Sequence, residues 1–66
     1  MLIKLSNYDD NSASILVNTS TITEIRSLHP FGSVIYFTVL DDLGQQVSVT
    51  CSEDLEEILN IIQSIS

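Results

Sequence analysis

Apolar and polar residues alternate with a period of two along the first two thirds of the chain, which is the pattern of half-buried β-strands. Ile3 and Leu5 share one face of the first alternating run, and Ile15 and Val17 share one face of the second. The polar residues 7–12 between the runs predict a turn, because Asn, Asp and Ser side chains hydrogen-bond their own backbone. Two short strands joined by a polar turn are therefore expected at the start.

The next stretch has a different spacing. Ile22, Ile25 and Leu28 are separated by three residues, which fits a single helical turn started by Asn18 and leading into a strand from about Glu24. A plain strand is the alternative, but it fits this spacing less well. The sequence thus favours a short helical turn between the second and third strands.

The centre of the chain holds the clearest strand. Residues 29–33, His-Pro-Phe-Gly-Ser, interrupt regular structure because proline lacks a donor and glycine permits a positive φ. Residues 34–40 are almost all β-branched or aromatic. Residues 41–44, Asp-Asp-Leu-Gly, predict a hairpin turn. Residues 45–51 then alternate cleanly, so one face of the returning strand should meet solvent.

The last fifteen residues change to a helical period. Ser52 is placed to cap a helix whose first turn holds Glu53 and Asp54, where carboxylates complement the helix dipole. The expected buried stripe is Leu55, Ile58, Leu59 and Ile62. Ile61 and Ile65 lie at the edge of an apolar arc of roughly 160°. Such an arc is wide for a helix on one small sheet, so either the helix is deeply cradled or this edge meets a second chain.

Together these elements predict an α+β fold of about five short, mostly antiparallel strands followed by one C-terminal helix packed on the sheet. Residues 1–66 are expected to form a single small domain, since this length allows only one. A chain of this size buries only about 60% of its unfolded surface, which predicts a thin core.

Charge narrows the classes of partner. The chain has nine Asp and Glu, two Lys and Arg, and a net charge of −7. This balance argues against direct binding of a nucleic-acid backbone or an anionic membrane. After Arg26 there is no Lys or Arg, and the acids found there are Asp41, Asp42, Glu53, Asp54, Glu56 and Glu57. These acids either solubilise the surface or form a patch that attracts a basic protein surface.

Candidate catalytic groups are few. The single cysteine, Cys51, allows no intrachain disulfide and lies in phase with Val47 and Val49, which predicts a buried structural thiol. A nucleophilic pair of Cys51 with His29, the one histidine, is the sharper alternative. Cys51 also precedes the predicted helix, whose N-terminus lowers the pKa of a nearby thiol. We expect no enzyme activity, because no further catalytic constellation accompanies these two residues.

Metal and cofactor sites are not expected. One cysteine and one histidine are too few ligands for zinc. The acid pairs at residues 9–10 and 41–42 lack the ligand spacing of a calcium loop. The two glycines lie in separate turns, so no phosphate-cradling loop is predicted. With no secretory h-region and no long apolar run, the expected location is the cytoplasm.

The order of features resembles that of the small FlbD-type flagellar proteins of bacteria. The resemblance rests on the segments Leu2–Leu5, Ile15–Asn18, Ser33–Phe37, Val47–Val49 and Ser52–Ile58. It covers nearly the whole chain, although its motifs are mostly hydrophobic alternation and a helix cap. It implies the same order of strands and helix, a short cytoplasmic chain without a catalytic site, and a flagellar accessory role.

The leading hypothesis is a non-enzymatic protein-binding module that acts as a regulator or inhibitor by occupying a partner's surface. Its candidate contact residues are Asp41, Asp42, Glu53, Glu56, Glu57, Tyr36, Ile61 and Ile65. One alternative is an acidic mimic of nucleic acid, such as a mobile-element or phage-type inhibitor of a nucleic-acid-binding protein. Another is a structural homo-oligomer, with a homodimer as its simplest form, or a flagellar-type accessory protein.

Overall fold

The chain forms its strands and helix in the predicted order. A computed structural model describes residues 1–10 and 12–65, apart from the side chain of Ile65. The elements are β1 (Leu2–Ser6), β2 (Ser14–Asn18), a 3₁₀ turn (Thr19–Thr21), β3 (Ile22–Ser27), β4 (Ser33–Leu40), β5 (Gln46–Cys51) and α1 (Leu55–Ile65). The pairings of these strands are antiparallel. The predicted α+β class is confirmed.

The strands form two sheets rather than one. β1 pairs with β2, and β4 lies between β3 and β5 in the second sheet. The sheets meet at one corner, where Asn7 forms an antiparallel bridge with Cys51. The Ser52 amide donates to the Ser6 carbonyl at 3.1 Å beside this bridge. The end of β1 is thus tied to the end of β5, and the apolar faces of both sheets enclose one core.

The predicted helical turn after Asn18 is confirmed. The Asn18 side chain accepts hydrogen bonds from the amide and the hydroxyl of Ser20, at 3.2 and 2.9 Å. β3 begins at Ile22, earlier than the expected Glu24, because a register shift between these two residues lets Ile22 pair with Phe37. β3 therefore begins immediately after the turn and pairs with β4 from its first residue.

The core is thin, as predicted. Its fully buried apolar side chains among the described residues are Ile3, Leu5, Val17, Ile35, Cys51 and Ile58. The partly buried side chains packed around them are Ile15, Ile22, Ile25, Phe37, Val49, Ile61 and Ile62. Both hairpins and the helix contribute, so the core exists only when all three are assembled. No helix in the described ranges is long and apolar enough to cross a membrane.

The helix differs from its prediction at its start and in its orientation. α1 begins at Leu55, and the Asp54 carbonyl accepts its first helical hydrogen bond from the Ile58 amide at 3.0 Å. The expected cap at Ser52 is wrong. Ser52 lies two residues before the capping position, Asp54, and its amide is bonded to the Ser6 carbonyl. Ile58 is 1% exposed while Leu59 is 49% exposed.

The buried stripe of α1 is consequently rotated relative to the prediction. Leu55 and Leu59 were expected inside and are exposed, whereas Ile61 was placed at the edge and packs against the core. The physical reason is that both stripes lie within one wide apolar arc, and the shape of the two sheets selects the half that is buried. The side chain of Ile65, the other predicted edge residue, lies outside the described residues.

Candidate functional site

The segment between β5 and α1 uses its acids to join three elements. Both carboxylate oxygens of Glu53 accept from the Ser6 amide, at 3.0 and 2.9 Å. The Asp54 carboxylate accepts from the Gly32 amide at 3.0 Å. Glu53 is half-buried, and its partner belongs to the end of β1. Two acids of the predicted anionic patch therefore hold the first strand and the central turn (residues 29–33) against the start of the helix.

Glu53 gives a direct test of this structural role. We expect Glu53→Gln to lower the free energy of unfolding by about 1–2 kcal/mol, because the charge-assisted bond to the Ser6 amide is lost. Glu56→Gln, three residues along on exposed helix surface, should cost about 0.5 kcal/mol or less through the helix dipole. Urea unfolding of both variants measures the difference. Equal losses would show that Glu53 acts only as a surface charge.

A buried hydroxyl and thiol lie beneath the same segment. The Ser33 hydroxyl donates to the Glu53 carbonyl at 2.8 Å, and the Cys51 thiol lies 3.8 Å from that carbonyl. Both residues are 0% exposed. Burial raises the pKa of the Cys51 thiol above its ordinary value. The thiol is thus protonated and shielded at neutral pH, as predicted for a structural cysteine, while His29 lies exposed in its turn.

The raised pKa of Cys51 predicts a loss of stability in alkali. A thiol whose pKa is higher in the folded state makes its full contribution to stability below its unfolded pKa, and this contribution disappears as pH rises through the folded pKa. We expect the free energy of unfolding to fall more steeply above about pH 9 for the native chain than for Cys51→Ala. Urea unfolding at successive pH values measures this. Parallel curves would contradict it, because the two proteins differ only at residue 51.

The predicted acidic residues divide between the two ends of the β4–β5 hairpin. Asp41 and Asp42 lie in its turn, whereas Glu53, Glu56 and Glu57 lie beyond the opposite end, where Cys51 pairs with Ser33. The eight residues of β4 separate these ends by roughly 20 Å. The structure therefore does not bring the six acids into one patch.

Individual acids at each end differ in what they contact. The Asp41 carboxylate accepts from the amides of Leu43 and Gln45, at 2.9 and 3.0 Å, and so shapes the hairpin turn. Glu57 accepts from the Asp54 amide at 3.4 Å, the reciprocal bond of a capping box. Asp42 and Glu56 are exposed. They are the positions at which a charge change tests binding with least disturbance of the fold.

Tyr36, the aromatic contact predicted on the outer face of β4, is half-buried. The guanidinium of Arg26 lies over its ring, 5.7 Å from the ring centre, and also pairs with Glu24. The Tyr36 carbonyl accepts from the Thr23 hydroxyl at 3.2 Å. A partner that contacts Tyr36 would therefore meet the Arg26 side chain as well.

The sequence analysis missed an aromatic contact between the turn after β1 and the turn before β4. The rings of Tyr8 and Phe31 stack with centres 4.9 Å apart and an angle of 21° between their planes. These residues belong to the first polar turn and to the central turn, 23 positions apart in the chain. Only the presence of an aromatic residue in each turn hinted at the pair, and nothing in the local spacing joins them.

Apolar side chains remain on the surface in separate groups. One group lies at the end of the β4–β5 hairpin and is named here the hairpin-end patch: Val39 and Val47 on the core-facing side of the strands, together with Leu43 in the turn. Leu40 is exposed on the opposite side of β4, where it pairs with Gln46. A second group belongs to the β1–β2 sheet and consists of Met1, Leu2 and Leu16. Leu55 and Leu59 form a third on α1, and Phe31 is exposed in the central turn.

The candidate site is consequently a surface. In the described ranges, no three His, Cys, Asp or Glu side chains come together as a metal site requires. No family model matches the chain, and no curated protein or solved structure matches it. Exposure and charge single out the apolar groups and the acids beside them as candidate contact surfaces.

Proposed function

We propose that this protein is a non-enzymatic binding module that acts as a regulator or inhibitor by occupying the surface of a partner protein. The supporting observation is the amount of apolar side chain left in water. Among the described residues, the six fully buried apolar side chains are outnumbered by ten large apolar side chains that are exposed. Apolar surface that is grouped, rather than scattered, is typical of interaction sites. The shielded Cys51 thiol fits the same proposal, since a solution substrate has no access to it.

The acidic-mimic alternative has weaker support. A carboxylate array that replaces phosphates needs several free acids on one surface, as on nucleic acid itself. Here the acids are divided between two ends of a hairpin, and Asp41, Glu53 and Asp54 accept backbone hydrogen bonds. A homo-oligomer would use the same apolar groups, but a net charge of −7 on each copy opposes self-association.

A capture experiment with three matched variants tests the proposal. The full chain is immobilised and exposed to an extract of its native host, and any captured protein is purified and titrated against the free chain. Leu16→Ser, Leu43→Ser and Leu59→Ser each remove one exposed leucine from a different apolar group. We expect one of the three to lower affinity about tenfold, because a leucine buried at an interface contributes that much. Failure to isolate a protein that binds the purified chain, or binding that none of the variants alters, would contradict the proposal.

A further inference from the structure

The apolar face of the β4–β5 hairpin continues beyond the part that the core covers. Along β4, Ile35 is fully buried, Phe37 is half-buried and Val39 is 56% exposed. Along β5, Cys51 is fully buried and Val47 is 36% exposed. Burial therefore declines steadily from the base of the hairpin to its tip. The sheet extends its core-facing side into solvent, where it forms the hairpin-end patch.

The turn adds Leu43 at the end of this face, and hydrogen bonds hold the turn in place. Leu43 is 83% exposed, whereas Leu40 pairs with Gln46 on the opposite side of β4 and is not part of the patch. The Asp41 carboxylate binds two amides of the turn, including that of Leu43 at 2.9 Å. The Gln46 side-chain amide donates to the Phe37 carbonyl at 3.3 Å and to the Thr23 hydroxyl at 3.1 Å. These bonds connect the start of β5 to β4 and β3. A surface ordered before binding loses less entropy on binding.

Charge at this end selects the chemistry of the partner. Residues 37–49 contain Asp41 and Asp42 and no Lys, Arg or His. A partner that covers the hairpin-end patch therefore gains favourable electrostatics if it carries lysine or arginine beside its own apolar side chains. A second copy is disfavoured, because it would bring the same two aspartates and a further net charge of −7 to the contact.

We propose that the hairpin-end patch, with Asp41 and Asp42 at its rim, binds a protein segment that combines apolar side chains with Lys or Arg. This inference rests on the proposed function and deepens it by giving the binding face and the partner's chemistry. The apolar patch supplies most of the affinity, and the rim aspartates set the preference for a basic segment. Asp41 also maintains the turn, so Asp42 is the cleaner position for a charge test.

The test uses two synthetic peptides as probes. Both are amphipathic and share one apolar face of leucine and phenylalanine, while the polar face is lysine in one and glutamate in the other. The 66-residue chain is titrated with each labelled peptide by fluorescence anisotropy. We expect the lysine peptide to bind at least tenfold more tightly than the glutamate peptide. Leu43→Ser should weaken the lysine peptide about tenfold, and Asp42→Asn about threefold with a smaller dependence on salt.

Two matched variants locate the binding face. Leu16→Ser removes a leucine that is 69% exposed on the β1–β2 sheet, and Glu56→Gln removes an exposed acid at the opposite end of the hairpin. Both should leave affinity unchanged within about twofold, since surface changes away from the contact have small effects. Circular dichroism confirms that each variant is folded, and the high exposure of Leu43 makes its replacement harmless to the fold.

Several outcomes would overturn the inference. Failure of the lysine peptide to bind, equal binding of both peptides, or equal losses in Leu16→Ser and Leu43→Ser would each do so. Sedimentation that shows a dimer abolished by Leu43→Ser would assign the patch to a second copy instead. The failures of the two proposals are distinguishable: a native partner lost through Leu16→Ser or Leu59→Ser would refute this face while leaving the binding module intact.

Discussion

Replacement of Gly32 by alanine is expected to destabilise the protein by at least about 3 kcal/mol. Gly32 has a φ of +90°, a backbone region that residues with a Cβ rarely adopt. An added Cβ would lie 2.5 Å from the Cys51 carbonyl oxygen and 3.1 Å from the Tyr8 ring. Since the carbonyl belongs to the backbone of β5, the collision is relieved only by moving the sheet or the central turn.

Gly44 provides the matched control for Gly32. Its φ is +78°, but a Cβ there would meet nothing within 4 Å. Gly44→Ala should therefore cost only the backbone term, about 1–2 kcal/mol. Urea unfolding followed by circular dichroism measures both variants. For 66 residues the total stability is roughly 3–10 kcal/mol, so Gly32→Ala is expected to leave a large fraction of the protein unfolded. Equal effects at the two glycines would contradict the close approach at Gly32.

Two adjacent helix residues give the second large effect. Ile58→Ala is expected to lower the free energy of unfolding by about 2–5 kcal/mol, because it removes buried methyl groups and leaves a cavity. Leu59→Ala should cost less than about 1 kcal/mol, since this side chain is half in water and alanine is the better helix former. Thermal and urea unfolding of both variants show which of the two side chains is buried, and so which face of α1 packs on the sheets. Equally large losses at the two positions would instead support the stripe predicted from periodicity, which buries both residues.

The structural use of the acids changes how any binding experiment is designed. A combined change of Glu53, Glu56 and Glu57 would weaken the connection to Ser6 and the capping bond to the Asp54 amide, as well as remove charge. Loss of binding in such a variant would then report partial unfolding. Asp42 and Glu56 separate the effect of charge from that of folding, and they lie at opposite ends of the β4–β5 hairpin.

The element types follow from the sequence because they are local. A strand alternates side chains every two residues and a helix repeats every 3.6, so the apolar pattern alone identified five strands and one helix. The turn after Asn18 was also predictable, since its hydrogen bonds join residues two or three positions apart. The Asp41–Gly44 turn is equally local, with an Asp41 carbonyl that accepts from the Gly44 amide at 3.0 Å.

What the sequence by itself determined was therefore the kind and order of the elements and the burial of Cys51. The tertiary structure decided which half of the helical arc is buried, because Ile58 and Leu59 are equally apolar and only the shape of the sheets distinguishes them. It also decided that Glu53 holds Ser6, a contact across 47 positions that leaves no local pattern. The exposure of the hairpin-end patch is also decided by the tertiary structure. Alternation shows that Val39 and Val47 face the core side. How far the other elements extend determines that nothing in the described chain covers these two side chains fully.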